Sequence, residues 1–272
     1  MPAQNLLLYQ KPLLEFRMKV CHFAHKNSVY WGWVENRRIS PLVNFENPFK
    51  SNTQRELAEH INFEDVKLLP PTKPSKIVCV GRNYAEHAAE LGNEIPKEPL
   101  LFLKAPSSVI TEGEVIIIPQ QSNQIEHEGE LAVVIGRICK NIPDYLNPLE
   151  YVFGYTCLND VTARDLQRKD VQFTRAKSFD TFCPIGGIVE TDLDISDIRV
   201  QTRINGEIRQ DGRTSQMVFD VPFLIRYISK QMSLNAGDII ATGTPSGVSK
   251  LNPGDLCEIE IEGIGILRNS VE

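Results

Sequence analysis

Hydrophobic and polar residues alternate near the start of the chain, which is the pattern of half-buried strands. Residues 18–34, MKVCHFAHKNSVYWGWV, contain two such runs separated by the polar break HKNS, so we predict a hairpin there. The following segment, ENRRISPL, predicts another short strand. Together these segments indicate a small β-rich N-terminal domain over residues 1–70.

A proline-rich segment, LLPPTKPSK at residues 68–76, follows this unit. Proline restricts the backbone and is excluded from helix interiors and central strands, so the segment predicts a linker. We therefore place a second, larger domain at residues 74–272.

Most apolar runs of the larger domain have the length of strands and are bounded by turn residues. The predicted strands are KIVCVG, PLLFLK, EVIIIP, ELAVVIG, YVFGYTCLND, GDIIATG and DLCEIEIEGIGIL. Helices are predicted at NYAEHAAELGNE, with its end at Gly92, at TARDLQRKD and at VPFLIRYISKQM, and Asn205-Gly206 predicts a hairpin turn. The helices are too few and too irregularly placed for βαβ alternation. The predicted fold class is therefore α+β, dominated by strands.

Composition and charge exclude several classes of protein. Hydrophobic residues at 42% and charged residues at 24% are ordinary for a folded globular protein. A net charge of -6 gives no basic surface for nucleic acid, and no apolar run approaches the roughly 20 residues of a membrane span. The segment at residues 1–16 lacks the features of a secretory signal and is expected to be a short extension. The six cysteines have no paired spacing, which predicts buried free thiols in a reducing cytoplasm.

The segment IEHEGEL at residues 125–131 places carboxylates at alternate positions: Glu126, Glu128 and Glu130. Alternate residues of a strand point to the same face about 6 to 7 Å apart, so these charges repel unless water or a cation compensates them. A solvated strand edge is the ordinary explanation, because charged side chains keep edges soluble. The pattern by itself leaves both explanations open.

Asp160 offers a further carboxylate where the strand YTCLN should end and a helix should begin. Taken alone, an aspartate at such a junction is often only an N-cap. Together, Glu128, Glu130 and Asp160 would supply hard oxygen ligands that suit Mg²⁺ or Mn²⁺ with water completing the coordination. Zinc is disfavoured because no His or Cys group has ligand spacing.

Seven segments, in order, resemble blocks of the fumarylacetoacetate hydrolase family: VGRNYAEHAAE, EPLLFLK, HEGELAVVIG, NDVTARDLQ, KSFDTFCPIGG, RINGEIRQDG and GDIIATGTPSGV. The resemblance spans about residues 74–270 and implies that family's strand-dominated mixed β-sheet roll. The chain is most similar to the stand-alone members, which include acylpyruvate hydrolases, oxaloacetate decarboxylases and tautomerases, and isomerases of hydroxymuconate-type diacids. By analogy with the family we expect a homodimer, and we place the protein in the cytoplasm.

The resemblance implies a role for each candidate. Glu128, Glu130 and Asp160 fall on the family's metal ligands, whereas Glu126 does not. Lys177 in AKSFD falls on the family lysine beside the metal, where an ammonium group stabilises a developing enolate. Without the family, an ordinary surface lysine would be the preferred interpretation.

His87 and Glu90 are neighbours on the predicted helix, three residues apart. They resemble the family dyad that handles water or a proton, with His87 as general base. Weaker matches are expected to contact the substrate, and these are Arg82, Gln167, Gly243 and Thr244. We expect Arg82 and Thr244 near the substrate carboxylate and the backbone N–H of Gly243 facing an anion.

These roles predict a Mg²⁺- or Mn²⁺-dependent enzyme that acts on a small 2-oxo acid through an enolate held at the metal. Attack by water would give acylpyruvate hydrolysis, loss of CO₂ would give oxaloacetate decarboxylation, and movement of a proton alone would give a tautomerase or isomerase. The motifs do not choose between these reactions. The alternative of another class is an inactive metal-binding interaction module. The loop LGNEIPKEP at residues 91–99 is a candidate lid.

Overall fold

The computed structural model describes residues 19–43, 49, 56–57 and 59–272. The short extension expected over residues 1–16 lies outside the described residues.

Strands make up most of the regular structure. The first ten are β1 Lys19–His25, β2 Ser28–Glu35, β3 Arg38–Val43, β4 Glu56–Leu57, β5 Ile61–Asn62, β6 Lys67–Leu69, β7 Ile77–Gly81, β8 Leu100–Lys104, β9 Val109–Ile110 and β10 Ile125–Glu126. The others are β11 Gly129–Ile135, β12 Val152–Asn159, β13 Thr162–Ala163, β14 Cys183–Pro184, β15 Ile188–Glu190, β16 Arg199–Ile204, β17 Glu207–Arg213, β18 Ile239–Ala241, β19 Leu256–Ile261 and β20 Gly265–Ser270.

Helices are short and few. The α-helices are α1 Ala85–Glu90, α2 Arg164–Lys169, α3 Thr174–Lys177 and α4 Val221–Gln231, and 3₁₀ helices lie at Phe63–Asp65, Pro106–Ser108, Pro148–Tyr151 and Thr214–Gln216. The start of α4 is fixed by Asp220, whose side chain accepts the backbone N–H of Phe223 at 2.8 Å, as an N-cap does. Just beyond α1, Gly92 has a φ of +69°, a left-handed conformation that glycine adopts without strain.

One large mixed sheet forms the centre of the molecule. Its strand order is β4-β3-β2-β1-β15-β12-β11-β18-β7-β8, with β5 and β6 attached to β3 and β1. Within this sheet β18 pairs in parallel with β7, whereas the other pairs of described strands are antiparallel. Because β1 pairs with β15, the N-terminal hairpin extends the same sheet that contains β11 and β12.

A second sheet, in the order β17-β16-β19-β20, packs against the first. The main core lies between them and includes Leu131, Val133 and Ile240 together with Leu224 and Ile228 of α4. The predicted Asn205-Gly206 turn joins β16 to β17, with both residues at positive φ. These elements confirm the prediction of a strand-dominated fold.

Alternation along β11 sends its side chains to two different environments. Leu131 and Val133 enter the main core, whereas Ala132 belongs to a smaller core on the opposite side of the sheet. Glu130 has the same parity as Ala132, so it also lies on the side of the smaller core.

Two expected elements differ in the structure. EVIIIP is not a strand: Ile116 forms a single bridge to Val271, and Pro119, which ends the segment, has no N–H to donate. IEHEGEL is not one continuous strand either, because Ile125–Glu126 pairs with β13 and β11 begins at Gly129. The chain changes pairing partner between these two points.

All six cysteines are buried and free, as predicted from their spacing. Among the helices that the structure describes, none has the length and apolar character needed to cross a membrane.

The position of β18 between β11 and β7 makes Ile240 a test of the central core. Ile240 is fully buried, whereas Ile138 is 68% exposed. We expect Ile240→Ala to lower the free energy of unfolding by about 2–5 kcal/mol, because it removes a well-packed side chain and leaves a cavity. Ile138→Ala, the same change at the surface, should change the free energy of unfolding by no more than about 0.5 kcal/mol. Urea unfolding followed by circular dichroism measures both, and equal losses would contradict this description of the core.

Candidate active site

Three carboxylates converge where β11 begins and β12 ends. The two strands are antiparallel, so Gly129 lies opposite Asn159, and the N–H of Asp160 donates to the carbonyl of Glu128 at 2.9 Å. This pairing brings Asp160 beside the start of β11. One carboxylate oxygen from each of Glu128, Glu130 and Asp160 lies within 4.8 Å of the other two, and all three residues are buried.

Two buried lysines contact this triad. Lys177, at the end of α3, donates to Glu128 Oε2 at 2.8 Å and to Asp160 Oδ2 at 2.7 Å. Lys104, at the end of β8, donates to the other oxygen of Asp160 at 2.6 Å and to the carbonyl of Val161 at 3.1 Å. The structure therefore places Lys177 beside the carboxylates, as the family resemblance implies.

Arg164, the first residue of α2, joins the triad to the third glutamate of IEHEGEL. Its guanidinium donates to Glu126 Oε2 at 2.7 Å and to Glu128 Oε1. Glu126 also accepts the side-chain amide of Gln124 at 2.6 Å. Glu126 thus contacts Arg164 and lies outside the triad, although it is just as buried as its two neighbours in the segment.

The positive groups hold Glu128 in its charged form. Burial by itself would raise the pKa of Glu128, but the nearby charges of Lys177 and Arg164 outweigh burial and lower the pKa well below its usual range. Burial likewise disfavours the charged form of Lys177, yet the charges of Asp160 and Glu128 raise its pKa. These two residues form an ion pair at the base of the site.

Glu130 differs from the other two members of the triad. Among the described residues it has no cationic salt-bridge partner, and its Oε2 accepts only the N–H of Gly243, at 2.8 Å. Burial raises the pKa of Glu130 well above its ordinary value, and the negative charges of Asp160 and Glu128 raise it further. A divalent cation shared by the three carboxylates would neutralise this excess negative charge, and the all-oxygen set suits Mg²⁺ or Mn²⁺. The residues present therefore fit such an ion.

His87 and Glu90 lie on one side of α1, as predicted. His87 Nδ1 is 3.3 Å from Glu90 Oε2, and His87 is buried. A carboxylate beside Nδ1 favours the tautomer that carries the proton there, which leaves Nε2 with a free lone pair. This arrangement can accept or deliver a proton at Nε2.

Glu90 is held from the opposite direction by the loop after β18. The backbone N–H of Gly247 donates to its two oxygens at 3.0 and 3.2 Å. Gly247 has a φ of +99°, and a Cβ there would lie 1.9 Å from the carbonyl oxygen of Arg209, so this position requires glycine. The tight turn of GTPSG thus orients the glutamate of the dyad.

Two predictions for the same loop need correction or refinement. The N–H of Gly243 does not face a substrate anion, because Glu130 accepts it. The Thr244 hydroxyl donates to the carbonyl of Gly129 at 2.9 Å and accepts the side-chain amide of Gln210 at 2.7 Å. Both groups therefore make hydrogen bonds within the protein, although Thr244 does line the cavity described next.

A cavity of about 340 Å³ lies over the triad. It is lined by the triad, the dyad and Lys177, and also by Leu91, Asn93, Leu100, Phe102, Phe173, Arg82, Arg164, Gln167, Arg168 and Thr244. Nine of the ten candidate site residues thus share one cavity, and Gly243 is the exception. Residues 91 and 93 of the candidate lid line it as well.

Four arginine and lysine residues missed in the sequence analysis or placed weakly by it belong to this site. Lys104 is buried, although lysine is usually exposed. Its position at the end of the apolar run LLFLK was the sequence feature that could have pointed to it. Arg164 and Arg168 gave no signal of their own, since positive charges on a short helix are usually solvated. Arg82 has a φ of +58°, an uncommon conformation for a residue with a side chain.

Two family models match the chain. The model described as Fumarylacetoacetate (FAA) hydrolase C-terminal matches residues 76–272, and the model described as Rv2993c-like, N-terminal matches residues 18–71.

Named relatives and solved structures agree with these matches. The chain is 45% identical over 225 residues to the oxaloacetate tautomerase YisK of Bacillus subtilis, covering 77% of this chain and 74% of that protein. It is 48% identical over 196 residues to the mitochondrial oxaloacetate decarboxylase of Dictyostelium discoideum, covering 70% and 89%. The crystal structure of 2-hydroxyhepta-2,4-diene-1,7-dioate isomerase from Mycobacterium marinum superposes with a TM-score of 0.83 at 37% identity, covering 93% of this chain and 98% of that one. The chain therefore belongs to the fumarylacetoacetate hydrolase family and is an enzyme of that family.

Proposed function

We propose that this protein is a Mg²⁺- or Mn²⁺-dependent enzyme that acts on small 2-oxo dicarboxylic acids through an enolate, with oxaloacetate as the first substrate to test. The observation that carries the proposal is Glu130, a buried carboxylate without a cationic salt-bridge partner among the described residues, beside Glu128 and Asp160. The cavity above this triad also holds the proton-handling pair His87 and Glu90.

Glu128, Glu130 and Asp160 would hold the metal ion. When bound, the ion supplies Lewis-acid polarisation of the substrate's 2-oxo group. Lys177 uses two of its three ammonium hydrogens on Glu128 and Asp160, which leaves one for a ligand in the cavity. That N–H would stabilise negative charge that develops on the substrate oxygen.

His87 would move the proton. In tautomerisation of oxaloacetate, Nε2 takes a proton from C3, and the electron pair of that C–H bond forms the C2–C3 double bond. The π electrons of the C2 carbonyl move to its oxygen, which receives the proton back from the imidazolium and completes the enol. In decarboxylation, the C3–C4 bond breaks, CO₂ leaves, and the electron pair of that bond forms the C2–C3 double bond of an enolate. His87, protonated at Nε2 from solvent beforehand, then delivers that proton to C3. Glu90 stabilises the imidazolium in both reactions, as the orienting carboxylate of a His–acid pair does.

Arg82 and Arg168 favour a substrate with a second carboxylate. Both line the cavity, and neither forms a salt bridge to a carboxylate among the described residues. Within the described residues, Arg168 donates only to the amide oxygen of Gln124, at 3.2 Å. By contrast, Arg164 is already paired with Glu126 and Glu128. Guanidinium groups left free at a cavity match a carboxylate well.

The names of the relatives support oxaloacetate as the first substrate to test, since one relative is an oxaloacetate tautomerase and another an oxaloacetate decarboxylase. The named isomerase among the structural neighbours supports a second candidate, proton transfer in an unsaturated seven-carbon diacid. Acylpyruvate hydrolysis by the same residues remains a prediction of the family resemblance. The homodimer is also a prediction of that resemblance, whereas the cytoplasmic location and the division into domains 1–70 and 74–272 stay predictions from the cysteine spacing and the proline-rich segment.

An assay panel separates these reactions. Oxaloacetate, acetylpyruvate and fumarylpyruvate are incubated with the protein and Mg²⁺ or Mn²⁺, and CO₂, pyruvate and the enol absorbance are recorded. We expect metal-dependent loss of CO₂ from oxaloacetate or enol–keto conversion of it. If no substrate is consumed, and chelator-treated protein behaves identically, the inactive metal-binding module replaces the enzyme proposal.

The metal assignment is tested by comparing two glutamates of IEHEGEL. Glu130→Gln should weaken Mn²⁺ binding more than about 100-fold, because the neutral amide removes a ligand charge from the triad. Glu126→Gln is the matched control: it can still accept from Arg164 and should weaken binding by no more than about tenfold. Calorimetric titration with Mn²⁺ measures both, and equal affinities in the two variants would remove Glu130 from the ligand set.

One variant of His87 should impair proton transfer without impairing metal binding. His87→Asn should lower kcat at least about 100-fold, the usual contribution of general acid–base catalysis, while Mn²⁺ affinity stays within a few-fold. Steady-state turnover and the same calorimetric titration are measured on one preparation. A parallel loss of Mn²⁺ binding would instead assign His87 a structural role at the triad.

The second-carboxylate hypothesis predicts a substrate-dependent effect. Arg168→Gln should raise KM for oxaloacetate about 10- to 100-fold, the cost of losing a charge-assisted hydrogen bond. It should leave KM for acetylpyruvate, which has no second carboxylate, nearly unchanged. Arg137→Gln, a change at an arginine paired with Glu150 away from the cavity, is the control. Equal effects of Arg168→Gln on both substrates would contradict the hypothesis.

A further inference from the structure

Gln210 is a fully buried amide that no part of the proposed chemistry uses. It lies on β17 between two residues, Arg209 and Asp211, whose side chains are exposed. Five groups contact it: one from β16, one from the start of β11, one from His127 just before β11, and two from the loop after β18. It therefore connects the second sheet to two segments that form the cavity.

The orientation of this amide follows from two partners, of which one can only donate a hydrogen bond and the other can only accept one. The backbone N–H of Gly129 can only donate, and it lies 3.0 Å from Oε1. The carbonyl of Pro245 can only accept, and it lies 2.7 Å from Nε2. The oxygen of Gln210 therefore faces β11 and its NH₂ group faces the loop after β18.

This orientation fixes the tautomer of His127, another fully buried residue. Its Nδ1 lies 3.1 Å from the oxygen of Gln210, so Nδ1 must carry the proton. Its Nε2 is then free to accept the hydroxyl of Ser249 at 2.8 Å. Ser249 and Gln210 thus hold His127 in the two-residue connection between β10 and β11, next to Glu128.

The same orientation fixes the hydroxyl of Thr244. This hydroxyl accepts Nε2–H of Gln210 at 2.7 Å and donates its own proton to the carbonyl of Gly129 at 2.9 Å. It retains one lone pair and no proton for a ligand in the cavity. Thr244 can therefore accept from a substrate O–H, such as that of an enol, but cannot donate to a substrate carboxylate.

We propose that Gln210 is a positioning residue of this enzyme, which aligns the Thr244 hydroxyl as a hydrogen-bond acceptor and fixes Gly129, the first residue of β11, between Glu128 and Glu130. The inference rests on the proposed function, because it takes Thr244 as a substrate contact. It assigns to the site a preference for the enol form of the 2-oxo acid.

Two variants of similar side-chain length test the role. Gln210→Met removes every hydrogen bond of the amide and should lower kcat/KM for the enol form of oxaloacetate about tenfold, as expected for one misdirected hydrogen bond. Gln201→Met is the control, since Gln201 is also a buried glutamine of the second sheet, but its oxygen accepts from Arg203 and not from a residue of the cavity. An equal loss of kcat/KM in Gln201→Met would show that any defect in this sheet has the same effect and would overturn the proposal.

A double-mutant cycle shows whether Gln210 acts through Thr244. Thr244→Val removes the hydroxyl and should also cost about tenfold in kcat/KM. The double variant should be no worse than the poorer single variant, because the second change removes a contact that no longer exists. Losses that multiply to about 100-fold would mean that the two residues act independently, and the proposal would be wrong.

Two measurements do not require turnover. The ¹⁵N NMR signals of His127, assigned with His127→Gln, should show the proton on Nδ1 in the native protein and a shifted Nδ1 signal in Gln210→Met. A native His127 with its proton on Nε2 would overturn the orientation of Gln210 even in an active enzyme. The free energies of unfolding of the native protein, the two single variants and the double variant should also be non-additive. If the assay panel shows no turnover while both of these results hold, the proposed function fails and the Gln210–Thr244 linkage stands.

Discussion

The structure depends on compensating a cluster of buried charges. Four carboxylates, from Glu126, Glu128, Glu130 and Asp160, lie at the junction of β11 and β12 together with the cations of Lys104, Arg164 and Lys177. An isolated buried charge is very costly, so each of these groups requires a partner at hydrogen-bonding distance. Three carboxylates have cationic partners, and within the described part of the chain the fourth, Glu130, makes a single hydrogen bond, to a backbone N–H. With Glu130 ionised, these described groups carry one negative charge in excess.

That excess links the fold to the chemistry. Strands β11, β12 and β18 are packed on both sides by apolar cores, so the carboxylates cannot move apart to relieve their repulsion. A rigid, oxygen-lined and electron-rich position of this kind is where a divalent cation binds well. The groups proposed to handle the substrate, His87 with Glu90 and the free ammonium hydrogen of Lys177, lie at the same cavity. The second sheet contributes through Gln210, which reaches the cavity only indirectly.

Much of the fold followed from local patterns. Alternating segments gave the hairpin of β1 and β2, Asn205-Gly206 gave the turn between β16 and β17, and the helical spacing gave α4. EVIIIP has the same apolar character as the true strands, yet it forms one bridge, because strand formation also needs a partner that continues beside it. In IEHEGEL the simple two-residue period failed, since the chain leaves one strand pair at Glu126 and enters another at Gly129.

The sequence by itself determined the chemical types of the site residues, namely the carboxylates, Lys177 and the His87–Glu90 pair, because motifs state identity and spacing. Only the tertiary structure decided how these groups are paired. It assigned Glu126 to Arg164, turned the N–H of Gly243 toward Glu130, and placed Lys104 and Arg164 among the carboxylates. The physical reason is that a side chain's partner depends on which strands and helices meet. Lys104 and Asp160 are 56 residues apart, yet their side-chain atoms lie within 2.6 Å.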